Sequence, residues 1–393
     1  MKILLTIHHP LSSHAGAPGA TWQLGQAYEK LGHQVQYYSF DQLPLKLPEL
    51  VESIIFPEFV AQHISKLVNQ GNVDVVDAST GDAWVWAKLL HKAEPHHPCL
   101  VTRSHGLEHV AHEERLEEAR RGGARLSWKY PLYHGGFRLW EVATSMQHAD
   151  AVLLLNQHDR DYAIHHFGIQ PENAHIVHNG IPDTFLNLPF APLQEDDTIR
   201  IAQIGSYIPR KGIHYGNPAL NAILKTYDQV QVSFLGTGCP IEQVLRDFDP
   251  QVRDRVRVAP RFNHETLPNL LSNHHIKLFP TLSEGFSLAL VEAMSCGLAP
   301  ITTATPGPLE VACDRHNAIV VPPRDTQALL QALESLINND FYLEKLRRNA
   351  YATAQTYSWE RIARDNLAIY EAVLCQSQGS KSKLNLSENR ISI

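Results

Sequence analysis

Two glutamates eight positions apart, Glu284 and Glu292, bear most directly on the chemistry of this chain. They lie in segment 279–300, FPTLSEGFSLALVEAMSCGLAP, whose pattern predicts a strand end, a polar loop and a helix. Glu284 precedes the helix, where free N–H groups and the helix dipole favour anions and hydroxyl-bearing ligands. Glu292 is the one charged residue of the predicted helix, and burying an unpaired carboxylate is costly. Two interpretations remain open: ligand binding, or a helix cap at Glu284 with backbone bonding at Glu292.

A histidine stands at the end of another predicted strand. His105 follows the strand Cys99–Arg103 and is followed by Gly106. The carboxyl ends of parallel strands are where such sheets bind ligands, so this position suits a ligand-facing side chain better than a core one. A role for His105 in the core is the alternative.

The many histidines and two D-x-D patterns invite a metal interpretation. The adjacent histidines are His8-His9, His96-His97, His165-His166 and His274-His275. None has HExxH spacing or a nearby cluster of further ligands. The D-x-D pairs, Asp159/Asp161 and Asp247/Asp249, are interpreted as surface residues far from Glu284 in sequence. The sequence therefore predicts no metal and no cofactor.

Positioning these residues requires two successive α/β domains. Short apolar runs alternate with helical patterns twice, which predicts parallel sheets covered on both faces. The strands expected before the polar linker 189–197 are 3–7, 35–40, 73–78, 99–103, 151–155 and 175–177. Those expected after it are 199–205, 231–235, 256–259, 276–280, 300–303 and 318–321. Two Rossmann-like domains with a cleft between them would direct their loops into that cleft.

The domain boundaries follow from the same patterns. We expect an N-terminal acceptor-binding domain over 1–187, a donor-binding domain over 188–357, and a final helix over 358–375 that crosses back to the first domain. The tail 376–393 is rich in Ser, Asn, Gln and Lys, which predicts disorder.

Composition excludes several function classes. The chain has 393 residues, 44% of them hydrophobic, and a net charge of -7, which argues against disorder and against general nucleic-acid binding. Its five scattered cysteines form no CxxC pair, which is typical of reduced thiols. The N-terminus predicts no signal peptide, and no run approaches a membrane span. We expect a cytoplasmic protein, with peripheral contact at the inner face of the membrane left open.

Glu284 and Glu292, followed by Gly285-Phe286 and Ala293-Met294, resemble the E-x7-E signature of retaining GT-B glycosyltransferases of family 4, group 1. The resemblance covers nearly the whole chain. It implies that Glu292 holds the ribose of a nucleotide-sugar donor. It also implies that Glu284, Gly285, Phe286 and Ser287 lie at the sugar and its phosphate. Position 287 is more often Gly in the family, so Ser287 is a departure that tightens the sugar pocket.

Further motifs extend the resemblance into both domains. The segment 205–212, GSYIPRKG, resembles the loop that places Arg and Lys on the diphosphate, with Lys211 in its place and Arg210 beside it, whereas Ser206 stands where Arg is common. A solvated pair is the alternative. His105 resembles the histidine that faces the hexose, with Arg103, Glu108, His109 and His112 towards the acceptor. The glycines that would approach the donor through their backbone are Gly16, Gly205 and Gly236.

Segment 115–140 combines basic and aromatic residues, which suits an anionic membrane surface. Acidic residues in the same stretch favour a solvated helix with i,i+4 pairs as the alternative.

The implied activity is transfer of a hexose, with retention and without metal, from a nucleoside diphosphate sugar to a sugar, lipid-linked or other glycan acceptor. The departing phosphate would help to deprotonate the acceptor, and the family's habits point to cell-envelope polysaccharide, lipopolysaccharide or glycolipid synthesis. The alternatives are a sugar-nucleotide epimerase and a silent sugar-nucleotide-binding subunit. No lysine motif supports a pyridoxal-phosphate phosphorylase.

Overall fold

A computed structural model describes residues 1–13, 16–91, 97–122, 126–193 and 198–388, with side chains up to residue 376. The chain divides into two compact units, described separately below. Unit 1 comprises 1–108, 127–178 and 359–393, and unit 2 comprises 109–126 and 179–358.

Unit 1 is built on a six-stranded parallel sheet. Its strands are β1 (Lys2–Ile7), β2 (Gln34–Ser39), β3 (Val75–Ser79), β4 (Cys99–Arg103), β5 (Ala151–Leu154) and β6 (Ala174–Ile176), in the spatial order β2-β1-β3-β4-β5-β6. Its helices are α1 (Gly16–Lys30), α2 (Glu49–Asn69), α3 (Trp84–Leu89), α5 (Arg138–Gln147), α6 (Gln157–Phe167) and α14 (Trp359–Glu388); α4 (Glu108–Arg120) begins at its boundary. A π-helical turn, Tyr133–Phe137, precedes α5. The strand order reverses direction between β1 and β3.

Unit 2 has a second six-stranded parallel sheet. Its strands are β7 (Ile199–Ile204), β8 (Val230–Leu235), β9 (Val256–Ala259), β10 (Ile276–Phe279), β11 (Ala299–Thr303) and β12 (Ile319–Val321), in the spatial order β12-β11-β10-β7-β8-β9. Its helices are α7 (Ile213–Thr226), α8 (Ile241–Leu245), α9 (Leu267–Leu271), α10 (Leu288–Ser295), α11 (Pro306–Leu309), α12 (Thr326–Ile337) and α13 (Asp340–Ala354). The order reverses between β7 and β10, which makes this a doubly wound sheet.

The last helix completes the core of the first unit. Trp359, Ile362 and Tyr370 of α14 are buried with Tyr28 of α1 and Ile3 of β1. This confirms the predicted return of the final helix to the N-terminal part of the chain. The helix runs to Glu388, which differs from the disorder predicted from residue 376, and residues 389–393 of that tail lie outside the described residues. Once packing has nucleated a helix, each further residue adds a hydrogen bond at a small cost in free energy. The polar composition of the tail therefore did not show where α14 ends.

The start of the predicted linker does not run free between the domains, because backbone carbonyl groups in and beside it accept hydrogen bonds from side chains of α13. Arg347 donates to the Ala191 carbonyl at 2.8 Å, and Tyr351 donates to the Leu188 carbonyl at 2.7 Å. The two compact units divide at residues 178/179, whereas the boundary predicted from sequence is 187/188. Residues 194–197 of the predicted linker lie outside the described residues.

Segment 109–126 also groups with unit 2. Arg324 forms ion pairs with Glu114 and, at 3.5 Å, with Glu118 of α4. The fold is thus α/β with two domains, each on a parallel sheet, although the predicted grouping did not foresee this contribution of α4. Within the described helices, no segment is both long and apolar enough to span a bilayer.

Candidate functional site

The loops after β7 and β10 meet at the point where the strand order of unit 2 reverses. The Leu282 N–H donates to the Arg210 carbonyl at 2.9 Å, and the Arg210 guanidinium donates to the Ser283 carbonyl at 3.0 Å. Loops at such a reversal line the ligand crevice of doubly wound sheets. The structure therefore brings together segment 205–212 and the loop of segment 279–300, the two motifs that the sequence singled out.

A glycine permits the close approach of these loops. Gly212 has a φ of 72°, and a Cβ built there would lie 1.7 Å from the Pro280 carbonyl oxygen. Gly205, with a φ of 120°, opens the same loop and bonds to the Leu235 carbonyl at 2.8 Å. A side chain at position 212 would push the two loops apart.

Opposite charges face each other across the two loops. The Lys211 ammonium donates to Oε1 of Glu284, and Arg210 lies 3.6 Å from the same oxygen. The Thr281 hydroxyl is 3.2 Å from that oxygen as well. Arg210 is half exposed whereas Glu284 is mostly buried, so the cluster presents positive charge towards solvent and keeps its carboxylate beneath. Two fixed cations suit a leaving diphosphate.

The residues after Glu284 lead into α10. The ring of Phe286 is buried and lies 5.8 Å from the ring of Tyr357, so Phe286 can meet a ligand only through its backbone. The Ser287 hydroxyl is buried and has no hydrogen-bond partner in the described part of the chain. Gly285 lies between Glu284 and Phe286 on the same turn.

Glu292 has a partner that the sequence did not reveal. Its Oε1 lies 2.8 Å from His264 Nε2, and the His264 ring packs 5.3 Å from Phe185. The hydrogen bond to Glu292 raises the pKa of His264, although burial opposes this effect. Glu292 is thus satisfied by a side chain rather than by the backbone that the alternative proposed. His264 follows Asn263, which caps a short turn, and nothing in that pattern indicates a carboxylate partner.

Two further predicted donor residues occupy other loops. Gly236 follows β8 with a φ of 75°, and a Cβ there would lie 2.8 Å from the Phe262 ring. Gly16 begins α1 in unit 1 with a φ of 63°, directly after residues 14–15, which are outside the described residues. Both glycines have backbone angles that side chains disfavour.

Unit 2 also places two residues that sequence reasoning missed beside the glutamates. Gly307 N–H donates to the Glu284 carbonyl at 3.1 Å, and a Cβ on Gly307 would lie 2.5 Å from that oxygen. Lys277 of β10 is fully buried, and its ammonium lies 5.2 Å from the Phe279 ring with no hydrogen-bond partner in the described chain. Burial, and secondarily the charge of Lys211, lowers the pKa of Lys277 well below its usual value. The sequence signal that could have indicated Lys277 is a charged residue within an otherwise apolar strand.

In unit 1, His105 lies on the loop after β4. Its Nε2 is buried without a hydrogen-bond partner among the described residues. Burial, together with the charge of Arg103, lowers its pKa to about 3, so the ring is neutral. Asp159 supports the loop by accepting from the Leu107 N–H at 3.0 Å. The prediction that Asp159 is a surface residue is wrong: the first turn of α6 faces this loop and buries its carboxylate.

A polar cluster also lies where the strand order of unit 1 reverses. Asp82 accepts from the Thr6 hydroxyl at 2.8 Å and lies 2.8 Å from His8 Nδ1. Arg138 donates to the Thr80 hydroxyl at 2.6 Å, and Thr80 has a φ of 41°, which is unusual for a β-branched residue. Polar residues directly after the strands β1 and β3 were the signal that could have found this cluster.

The carboxyl group of Glu141 lies beside the same cluster. Burial raises its pKa to about 7, against the opposing effect of Arg138 at 3.5 Å. This end of unit 1 therefore holds an acid that can exchange a proton near neutral pH.

Arg103 has a structural role in place of the expected position towards the acceptor. It donates to Asp77 at 2.6 Å and to Asn366 at 2.7 Å, and is almost fully buried. These hydrogen bonds join α14 to the sheet. The Arg103 side chain is therefore part of the core of unit 1.

The second D-x-D pair is also occupied by local contacts. Asp247 accepts from Tyr207, and Asp249 pairs with Lys225. Both aspartates lie at the surface, as predicted.

The two sheets and their loops define the GT-B class, and a solved structure supports this assignment. Sucrose-phosphate synthase from Thermosynechococcus elongatus matches 95% of this chain and 99% of its own, with a TM-score of 0.75 and 19% identity. At that identity the likeness shows the fold alone.

Family models and curated relatives then identify the family. The model described as glycosyl transferases group 1 matches residues 186–354, and that described as glycosyltransferase family 4 matches residues 15–185. An MMP alpha-(1->4)-mannosyltransferase from Mycolicibacterium hassiacum is 29% identical over 73% of this chain and 68% of its own length. One of the subunits of the human phosphatidylinositol N-acetylglucosaminyltransferase is 25% identical over 59% of this chain and 48% of its own. The chain belongs to the family 4, group 1 glycosyltransferases.

Proposed function

We propose that this chain transfers a hexose from a nucleoside diphosphate sugar to a glycan or glycolipid acceptor, with retention and without a metal ion. The observation that carries the proposal is the cluster of Arg210, Lys211 and Glu284 at the strand reversal of unit 2. Its two cations can form charge-assisted hydrogen bonds to the oxygens of a diphosphate leaving group. A leaving group that binds side-chain cations depends less on a bound metal ion for stabilisation.

The donor would lie along the loops that follow β7, β8 and β10. Glu292 would accept hydrogen bonds from the ribose hydroxyls, and the start of α10 would face the phosphates. Gly205 and Gly236, with Gly16 of unit 1, would let the backbone approach the donor. Glu284 and the backbone of Gly285, Phe286 and Ser287 would bind the hexose hydroxyls.

In the reaction, the acceptor oxygen forms a bond to the anomeric carbon as the bond from that carbon to the diphosphate breaks. The acceptor proton passes to the departing phosphate oxygen, so the nucleoside diphosphate leaves with the proton. Neutral His105 would hydrogen-bond to the hexose without adding charge. The chain's contribution is electrostatic and positional.

The acceptor class is proposed from the relatives. One curated relative is named as a mannosyltransferase and another as part of a phosphatidylinositol glycosyltransferase, which favours a glycolipid or a cell-envelope glycan. Their names are those of transferases, so neither the epimerase nor the silent binding protein gains support as an alternative.

We extend the proposal to a cytoplasmic location with peripheral membrane contact through the unit 1 part of segment 115–140. Trp128 is 77% exposed and Leu132 is 69% exposed, while Phe137 and Trp140 stack at 5.6 Å. Lys129 lies 5.5 Å from the Trp128 ring. Exposed aromatic rings beside cations are typical of membrane interfaces. On α4, by contrast, Glu117 pairs with Arg121 at 2.7 Å, as the solvated-helix alternative predicts.

The membrane proposal is tested by sedimentation with vesicles of anionic or zwitterionic lipid. We expect binding to anionic vesicles that falls at least about tenfold in Trp128→Ala, because an interfacial aromatic ring is lost. Equal sedimentation of the two proteins would contradict this contact.

The central experiment measures transfer and donor binding in Lys211→Met and Glu284→Ala. Lys225→Met is the matched control, because Lys225 pairs with Asp249 on the surface of the same unit. Removing one charge-stabilising group of this kind costs about 10²–10³ in kcat, so we expect losses of that size in both site variants. Full activity in Lys211→Met would overturn the site assignment.

Three further measurements on the wild-type protein determine the donor class, the stereochemistry and the metal dependence of the reaction. A thermal-shift screen against UDP-, GDP- and ADP-sugars identifies the base, because a ligand that binds only the folded state raises Tm. NMR of the product's anomeric centre decides retention, and an inverted product would contradict the mechanism. Unchanged transfer in EDTA is the expected result for a metal-independent reaction.

A further inference from the structure

Three possible metal ligands meet at the amino-terminal edge of the unit 1 sheet. His91 follows α3, His97 precedes β4, and Asp150 immediately precedes β5. His105 and His8 follow the carboxyl ends of β4 and β1, so this group lies at the opposite edge of the same sheet. A five-residue strand spans roughly 15 Å, which separates the group from the proposed chemistry.

The side chains of these three residues point towards a common centre. One ligand atom from each residue lies within 4.8 Å of the other two. His91 Nε2 is 3.2 Å from Asp150 Oδ2, and the two imidazole rings lie 4.5 Å apart at 70°. His91 is only 1% exposed, and its ring lies 4.8 Å from the indole of Trp86.

The ligand types and spacing suit zinc. Zinc binds imidazole nitrogen and carboxylate oxygen at about 2.0–2.2 Å in a tetrahedron, which places ligand atoms roughly 3.3 Å apart. The separation of His91 and Asp150 already has this value, and a rotation of the half-buried His97 would bring in the third ligand. Water can complete the tetrahedron.

The surroundings hold two of the ligands in place. The Leu100 N–H donates to Asp150 Oδ2 at 2.8 Å, which orients the carboxylate as outer hydrogen bonds do in metal sites. Packing against Trp86 fixes the ring of His91. A surface cluster of acidic residues would have neither constraint.

We propose that His91, His97 and Asp150 bind one Zn²⁺ ion that joins the end of α3 to the starts of β4 and β5. The ion has a structural role and takes no part in sugar transfer. Sequence patterns could not indicate it, because Asp150 is far from both histidines along the chain and the pairing depends on the sheet.

The test uses the full chain after dialysis against EDTA, titrated with zinc chloride by calorimetry. We expect one Zn²⁺ per chain with a Kd of about 1 µM or tighter, and a rise in Tm on binding. His97→Gln and Asp150→Asn should each weaken binding by at least about 10-fold. Asp150→Asn is informative because its amide oxygen can still accept from Leu100, so the fold is retained.

His166→Gln is the matched control, since His165 and His166 are exposed on α6 of the same unit. It should bind zinc as the wild type does. Wild-type binding that is absent, or equal to that of Asp150→Asn, would overturn the proposal and leave a hydrogen-bonded His91–Asp150 pair. Nucleotide-sugar binding should be the same with and without zinc, so this outcome is independent of the transferase proposal.

Discussion

The pairing of Lys211 with Glu284 joins residues 73 positions apart, and each was singled out separately from the sequence. Their types could be interpreted from sequence because both lie in short loops directly after predicted strands. His264 could not be found in this way. It reaches Glu292 only because the loop after β9 and helix α10 are brought together by the sheet.

Glu292→Gln should weaken donor binding by about 10–100-fold, because a charged hydrogen-bond acceptor contributes about 1.5–3 kcal/mol. Calorimetric titration with the preferred nucleotide measures the change. Glu265→Gln, an exposed acid nearby in the same unit, serves as the control and should bind normally. Unaltered affinity in Glu292→Gln would contradict the ribose assignment.

The His264–Glu292 pair should make the stability of the protein depend on pH. The folded pKa of His264 is raised by Glu292, so the protonated pair contributes stability below the unfolded pKa of about 6.5. That contribution is lost as pH rises through the folded pKa. Urea unfolding should therefore show a larger difference between wild type and His264→Asn at pH 6 than at pH 9. A difference independent of pH would contradict a charged pair.

Strands and helices were the most predictable part of the structure. β4 and β9 have the predicted bounds, and the other strands shift by one or two residues, because apolar runs between turn residues encode them directly. Contacts between elements were less predictable. The sequence placed α4 in the first domain, but its acidic face pairs with Arg324 of unit 2, and no local pattern records that partner.

The meeting of the β7 and β10 loops makes Gly212 a sensitive position. Gly212→Ala should destabilise the protein by about 2–5 kcal/mol, since a left-handed backbone costs about 1–2 kcal/mol and overpacking adds about 1–3 kcal/mol. Gly238→Ala separates these effects: its φ is 67°, but a Cβ there meets nothing within 4 Å. We expect Gly238→Ala to lose only about 1–2 kcal/mol in urea unfolding. Equal losses would show that the contact with Pro280 does not matter.

Taken across the full length of the chain, the division into two α/β domains was predictable and the membership of particular segments was not. Repetition of strand and helix patterns indicates two sheets. The composition of segment 189–197, PFAPLQEDD, indicated a linker, yet its Ala191 carbonyl accepts a hydrogen bond from Arg347 of α13. Such partners are long-range, so composition does not report them.

Tyr370→Phe tests how α14 is bound within unit 1. The Tyr370 hydroxyl bonds to Asp77 and lies 2.8 Å from the Tyr28 hydroxyl. Its loss should cost about 1–3 kcal/mol, because buried polar partners are left unsatisfied. Hydrogen exchange measured by mass spectrometry should show faster exchange in α14 and β3 and little change in β7–β12. Acceleration confined to unit 2 would contradict this assignment.

Because Trp359, Ile362 and Tyr370 are part of the unit 1 core, the order in which the chain is synthesised matters for its folding. The ribosome completes all of unit 2 before it releases the residues that finish unit 1. Until then the N-terminal sheet lacks the helix that packs against α1 and β4, while the second sheet has its whole sequence available. Apolar surface exposed during that interval is a natural target for chaperones and a site of aggregation.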